Sequence, residues 1–168
     1  MRAVICGANG AMGTLLCGIL KEEVVGRVSI DGRNGAARTF DELGTLDADM
    51  VIDFSHHTAI SAVLDYAKKI RAAAVIGTTG HTEEEKALIF AAAKEIPVFY
   101  SGNMSLGIAV LCRLAKDAAR YFPDADIEIV EAHHNRKVDA PSGTALMLLG
   151  GCASAREEAD AGLNVEII

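Results

Sequence analysis

Two adjacent imidazoles, His133 and His134, stand just before Lys137, and the same fourteen-residue run, Glu131 to Thr144, closes on Pro141, Ser142, Gly143 and Thr144. Imidazole is the side chain whose unperturbed pKa lies nearest neutral pH, which suits it to donate a proton. A lysine beside it supplies a compact positive charge that binds or protonates an anionic substrate. The Ser-Gly-Thr turn leads into Ala145 to Leu149, a stretch of helical composition. Backbone N–H groups at such a helix start face an anion such as a carboxylate. Acid, cation and anion cradle together point to chemistry on an acidic small molecule.

The rest of the chain must position that segment. With 168 residues, 51% of them apolar, it is long enough for one domain with a sizeable core, or one domain and part of a second. That composition excludes a disordered chain. A net charge of −7 argues against a general nucleic-acid or anionic-membrane surface. An anionic ligand therefore needs a local positive site, which Arg136 and Lys137 offer. Met1 to Gly7 enters a strand at once and leaves no room for a signal peptide, and no apolar run approaches the length of a membrane span. Cys6, Cys17, Cys112 and Cys152 show no C-x-x-C spacing, and Cys6 and Cys17 read as buried free thiols. A reduced, cytoplasmic protein is expected. No set of His, Cys, Asp and Glu has zinc-ligand spacing, so no metal is expected.

Strands and helices alternate through the first 122 residues. Expected strands are Ala3 to Cys6, Val28 to Ile30, Met50 to Phe54, Ala73 to Ile76 and Pro97 to Tyr100. Expected helices run from Thr14 to Glu22, Thr58 to Arg71, Thr82 to Glu95 and Ile108 to Tyr121, with a short piece at Phe40 to Leu43. Thr82-x-x-Glu85 is a capping box that marks one of these starts. This order predicts an α/β fold with a Rossmann-like, doubly wound parallel sheet. After Pro123 the pattern changes. Asp126 to Glu131 and Leu163 to Ile168 alternate with period two, which suggests strands of a second, separate sheet with a helix near Thr144 to Leu149 between them. The expected organisation is a dinucleotide-binding domain over 1–122 and an incomplete α+β substrate domain over 123–168.

Gly7, Gly10 and Gly13 form a G-x-x-G-x-x-G run directly after a strand and at the opening of a helix. The first glycine permits a tight turn, the second lets backbone approach a pyrophosphate, and the third allows close helix–strand packing. Gly7, Ala8, Asn9, Gly10, Ala11 and Met12 are thus candidate coenzyme contacts. Asp31, eighteen positions after Gly13, stands where a ribose-binding carboxylate is expected. Arg33 two residues on would neutralise a 2′-phosphate, or is simply a solvated arginine, so NADPH and NADH both remain open. Gly77, Thr78 and Thr79 follow the fourth strand, Ser101, Gly102, Asn103 and Met104 the fifth, and Asp53 to Ser55 end the third. Small polar residues at three strand ends favour a binding crevice there, with Gly77 to Thr79 and Ser101 to Met104 as further candidate coenzyme contacts. His56 and His57 read as polar residues at a helix N-terminus, and His81, before the capping box, is expected to face solvent.

Glu131 to Thr144 matches, almost residue for residue, the E-A-H-H-x-x-K-x-D-A-P-S-G-T motif of the 4-hydroxy-tetrahydrodipicolinate reductase (dihydrodipicolinate reductase) family, and the chain resembles that family throughout. Gly7 to Gly13, Asp53 to Ser55, Gly77 to Gly80 and Asn103 to Gly107 fit it in order. The resemblance implies an enzyme of diaminopimelate and lysine biosynthesis that reduces a cyclic, unsaturated dicarboxylate imine with NADPH or NADH. It implies that His133 is the general acid, Lys137 its catalytic partner and His134 a substrate contact. Gly143 and Thr144 would hold a substrate carboxylate through backbone and hydroxyl.

The family pattern continues past a strand like Leu163 to Ile168 into a His-x-x-Arg-Gly-Gly segment, further strands of the second sheet, through which its homotetramer is built, and a C-terminal helix. The sequence is therefore expected to be C-terminally shortened, and Gly150 to Gly162 departs from the family pattern. The alternative reading is a nucleotide-binding module of the same family with impaired catalysis. A semialdehyde or homoserine dehydrogenase fits less well, because no cysteine is suitably placed.

Overall fold

Every residue of β1 (Ala3–Cys6) is buried, as a strand covered on both faces requires, and its alternate side chains feed two separate cores. The structure is a computed structural model describing residues 1–133, 135, 140–158 and 165–167. β1 is flanked by β2 (Val24–Val28) and β3 (Met50–Asp53), followed outward by β4 (Ala73–Ile76) and β5 (Val98–Tyr100). The order is β2-β1-β3-β4-β5, and every neighbouring pair is parallel. Val4, Cys6, Val51, Ala74 and Ile76 pack with α3 (Ile60–Ile70) and α4 (Glu83–Ala92) through Ile60, Val63, Leu64, Ala67 and Ile89. Ala3, Ile5 and Ile52 form the opposite core with Leu16, Cys17 and Leu20 of α1 (Ala11–Leu20). A short α2 (Phe40–Leu43) follows β2, with Thr39 accepting the Glu42 N–H as its cap. This is the expected Rossmann-like α/β sheet.

Some boundaries differ from the sequence expectation. β2 lies at Val24–Val28 rather than Val28 to Ile30, because β1 takes its register from Ala3 against Val24 and Cys6 against Val28. The apolar Ile30 beyond it is 89% exposed in the turn that carries Asp31. Helix α1 opens at Ala11, inside the glycine run, because its N-cap is Gly10 itself.

The chain divides into two compact units, Met1–Ser101 and Gly102–Ile168. In the second, α5 (Leu106–Tyr121) packs along α6 (Gly143–Glu158), and a two-stranded parallel sheet pairs β6 (Ile127–Ile129) with β7 (Val165–Ile167). Parallel neighbours need a crossover, and α6 supplies it. This division assigns α5 to the second unit, earlier in the chain than the expected break after Phe122. Helix α6 runs nine residues beyond the expected Leu149 because Gly150 and Gly151 do not stop it. A Cβ on Gly151 would stand an ordinary 3.8 Å from the Cys112 carbonyl, so the α5–α6 contact does not require glycine there, and Cys152 and Ala155 are buried beside it. Arg156 is also buried, its guanidinium donating to the carbonyls of Pro123 and Ala125 before β6. No helix among the described residues is long and apolar enough to cross a membrane.

Candidate functional site

The strand order reverses between β1 and β3, and the carboxyl ends of such neighbours open the crevice where doubly wound sheets bind ligands. Gly7 lies at that point with φ +77°, and a Cβ there would stand 2.2 Å from the Phe54 carbonyl oxygen. A Cβ on Gly13 would stand 2.1 Å from the Gly7 carbonyl oxygen. Packing therefore demands both glycines. Gly10 differs: its added Cβ would meet only the Gly7 oxygen, at 3.2 Å, and it is exposed. The N-cap at Gly10 supplies no side-chain acceptor to α1, and the first turn, with Ala11 and Met12, has no acidic residue. Such a helix start accepts a phosphate.

Gly7 and Ala8 donate their N–H groups to the Val28 carbonyl at 2.9 and 3.1 Å, pinning the loop to the end of β2. That brings Asn9 to Asp31, donating Nδ2–H to Oδ1 at 2.5 Å. Ser29 Oγ and Arg33 N also donate to Oδ1, and Arg33 Nε donates to Oδ2 at 2.7 Å. The Asn9 amide foremost, then the Arg33 backbone and guanidinium, hold the Asp31 carboxyl well below the usual carboxylate range. A pocket of about 560 Å³ opens beside this loop, lined among others by Gly10, Ser29, Ile30, Arg38 and Phe54.

Asp53, at the end of β3 and one of the strand ends expected to line the crevice, is fully buried. It accepts Thr78 Oγ1–H at 2.7 Å and both the hydroxyl and the N–H of Ser55. The Thr78 hydroxyl thus faces inward, so its backbone is what the loop presents, whereas Thr79 is exposed. Gly77 must lack a side chain because the Phe54 ring would lie 2.2 Å from its Cβ. Burial, with Asp53 adding its charge, pushes the nearby Cys6 thiol up to about 12, so this cysteine is an inert core group. Ser101 donates its N–H to the Ile76 carbonyl at 3.1 Å.

The histidines of this unit divide. His56 N-caps the turn before α3, accepting the Thr58 N–H, as expected. His57 Nδ1 meets Glu85 at 2.9 Å. His81 is a correction: it is buried at 7% exposure rather than solvent-facing. Its ring lies edge-on to Tyr100, whose hydroxyl approaches Nδ1 at 3.4 Å, and its Nε2 has no partner among the described residues. Burial pushes its pKa down. The capping box is a local pattern, whereas burial comes from Tyr100 on β5 and His57 before α3.

In the second unit, Glu131 joins two parts of the expected catalytic segment. One oxygen accepts the Ser142 N–H at 2.8 Å, and the other stands 3.8 Å from His133 Nδ1. The His133 side chain is 41% exposed. Ser142 caps α6 by accepting the Ala145 N–H at 3.0 Å, and the first turn, with Gly143 and Thr144, carries no acidic residue of its own. Asn103 donates to Thr144 Oγ1 at 2.8 Å, while Gly102 and Met104 beside it are exposed. His134 and Lys137 lie outside the described residues. Among the described residues, no group of three or more His, Cys, Asp and Glu is placed to hold a metal ion.

A parallel sheet with a glycine loop at its switch point and a carboxylate following the neighbouring strand defines a Rossmann-like α/β protein. The chain belongs to the dihydrodipicolinate reductase family, whose "Dihydrodipicolinate reductase, N-terminus" model matches residues 1–104 and whose "Dihydrodipicolinate reductase, C-terminus" model matches 107–168. It is 47% identical over 154 residues to the 4-hydroxy-tetrahydrodipicolinate reductase of Caldanaerobacter subterraneus subsp. tengcongensis, covering 88% of this chain and 61% of that relative. Against the Campylobacter concisus enzyme of the same name it is 42% identical over 160 residues, covering 90% and 62%. The chain thus spans about three fifths of the length of these curated relatives. A dipicolinate-bound dihydrodipicolinate reductase from Paenisporosarcina sp. TG-14 superposes with a TM-score of 0.70 at 27% identity, covering 93% of this chain and 66% of that one.

Proposed function

We propose that this chain carries out the NAD(P)H-dependent reduction of 4-hydroxy-tetrahydrodipicolinate to tetrahydrodipicolinate, the step its relatives are named for, in diaminopimelate and lysine biosynthesis. The observation that carries the proposal is Glu131, which stands 3.8 Å from the expected acid, His133, and accepts the Ser142 N–H at the start of α6. A proton donor and an anion cradle held by one carboxylate suit a substrate that must be gripped by a carboxylate and protonated nearby. The dipicolinate bound by the Paenisporosarcina protein is a dicarboxylate of this kind.

The coenzyme residues fit the same reading. Gly10 lacks a side chain that packing does not forbid outright, and the uncapped start of α1 at Ala11 and Met12 suits a pyrophosphate. Asp31, held ionised, accepts a ribose hydroxyl, and Arg33 beside it would neutralise a 2′-phosphate, so the coenzyme is NADPH or NADH. Bound coenzyme supplies the hydride. With the 4-hydroxyl lost as water, His133 delivers the proton to the unsaturated ring as the hydride arrives, Glu131 stands beside its imidazole, and the Gly143 and Thr144 donors hold a carboxylate still. Lys137 is the catalytic partner of His133, and His134 a further substrate contact. Division of labour follows the expected domains, coenzyme to the N-terminal part and substrate to the C-terminal part. A steady-state assay of the 168-residue chain with each coenzyme and the dihydrodipicolinate synthase product tests this. Turnover with either supports it. Coenzyme binding without turnover would instead favour the impaired nucleotide-binding module.

A further inference from the structure

We infer that Asn103 is a positioning residue for the substrate carboxylate, acting by fixing which way the Thr144 hydroxyl donates; the inference rests on the function proposed above. The argument is one of hydrogen-bond polarity. The backbone N–H of Ser105 is only a donor, and it meets Asn103 Oδ1 at 2.8 Å. Ser105 is itself held at the start of α5, where its Oγ accepts the Ile108 N–H. The peptide that sets the direction is therefore anchored to a sixteen-residue helix.

With Oδ1 claimed, the amide presents Nδ2 to Thr144 Oγ1 at 2.8 Å. An amide nitrogen only donates, so the threonine oxygen accepts and its own proton must point elsewhere. A threonine inside a helix commonly returns that proton to the carbonyl four residues back. For Thr144 that residue is Ala140, which precedes α6 and is not helical. The Ser142 hydroxyl and carbonyl already take the N–H groups of Ala145 and Leu146. Among the described residues, what remains at the start of α6 is a set of donors, the N–H groups of Gly143 and Thr144 and the Thr144 O–H. Their complement is a carboxylate oxygen, and the order Ser105, Asn103, Thr144, carboxylate runs donor to acceptor throughout.

Asn103→Asp tests the polarity while keeping the shape. Aspartate still accepts the Ser105 N–H, but its second oxygen also accepts, so the Thr144 proton turns toward it and away from substrate. In the full 168-residue chain, N103D is expected to raise KM for the dicarboxylate at least about tenfold. The dissociation constant for pyridine-2,6-dicarboxylate, measured by calorimetry, rises in parallel. Asn103→Ala gives a smaller increase, and in a Thr144→Val background it adds nothing further. Unchanged dicarboxylate binding by N103D, or an N103A effect of equal size with and without the Thr144 hydroxyl, overturns the inference alone. A wild-type chain that neither turns over nor binds the dicarboxylate overturns the functional reading and the inference with it, and is told apart because the unmodified protein is what fails.

Discussion

Asn9 donates its amide to the Asp31 carboxylate at 2.5 Å, so the glycine loop and the turn after β2 are a single hydrogen-bonded platform. Arg33 shares that carboxylate through its backbone and guanidinium. Asp31→Ala should therefore weaken NADH about tenfold or more, the scale of a hydrogen bond to a charged group, and NADPH less. Arg33→Ala should do the reverse. Fluorescence titration with each coenzyme checks this, and equal losses for both coenzymes in both variants would remove the assigned roles.

The glycines of the loop should separate folding from binding. Gly13→Ala drives a Cβ against the Gly7 carbonyl and the Ala8 backbone, and should cost about 1–3 kcal/mol or more of stability. Gly10→Ala, at an ordinary φ of −73°, should cost no more than about 1 kcal/mol. It should nonetheless weaken coenzyme binding severely. Denaturant melts and coenzyme titrations on the two proteins decide the matter; a Gly10→Ala protein that binds normally would show that no pyrophosphate approaches there.

Asp53 holds the ends of β3 and β4 together through Ser55 and Thr78. Asp53→Asn puts an amide donor against two hydroxyls and an N–H, and should destabilise the fold by about 1–3 kcal/mol. Because Thr78 precedes the exposed Thr79, coenzyme affinity should fall too. Urea denaturation of both proteins reads the first effect. A stability within about 0.5 kcal/mol of wild type would show that the clasp is dispensable.

His81 should give the protein a distinctive pH response. Burial depresses its pKa below the ordinary imidazole value of about 6.5, so as pH falls through that value the unfolded chain takes up a proton that the folded chain resists. Its contribution to stability is present above about 6.5 and declines as the solution becomes more acidic. Glu85 acts lower: backbone donation from Thr82 and the contact with His57 depress its pKa below 4.5, so its contribution is present above that value and lost in stronger acid. His81→Phe should flatten the dependence of stability between about pH 7 and 5.5 and leave the acid limb. Denaturation midpoints across this range check it, and an unaltered slope in the variant would assign the titration elsewhere.

What could be read from the sequence was what depends on local pattern or continuous burial. β1, β3 and β4 are apolar runs because both faces are covered, and Thr82 with Glu85 forms the capping box its spacing announces. Ile30 misled because an apolar residue in a turn resembles the end of a strand. The burial of His81 and Arg156 was not legible, since Tyr100, Pro123 and Ala125 reach them from distant parts of the chain. In the site, the residue types of the Glu131 to Thr144 segment were informative, while the Glu131 and Asn103 contacts required the fold. Asp53 had a signal that was available: an acid ending a buried strand needs donors, and Ser55 and Thr78 are polar residues at neighbouring strand ends.

The central claim is that His133 donates a proton during a coenzyme-dependent reduction. The most direct measurement is the steady-state rate of NAD(P)H oxidation by the wild-type chain and by His133→Gln, with the dihydrodipicolinate synthase product as substrate. The account predicts turnover by the wild type and a kcat lower by about 10²–10⁴-fold in the variant, the usual contribution of a positioned general acid, with coenzyme affinity unchanged. Wild-type turnover that survives undiminished in His133→Gln would contradict it.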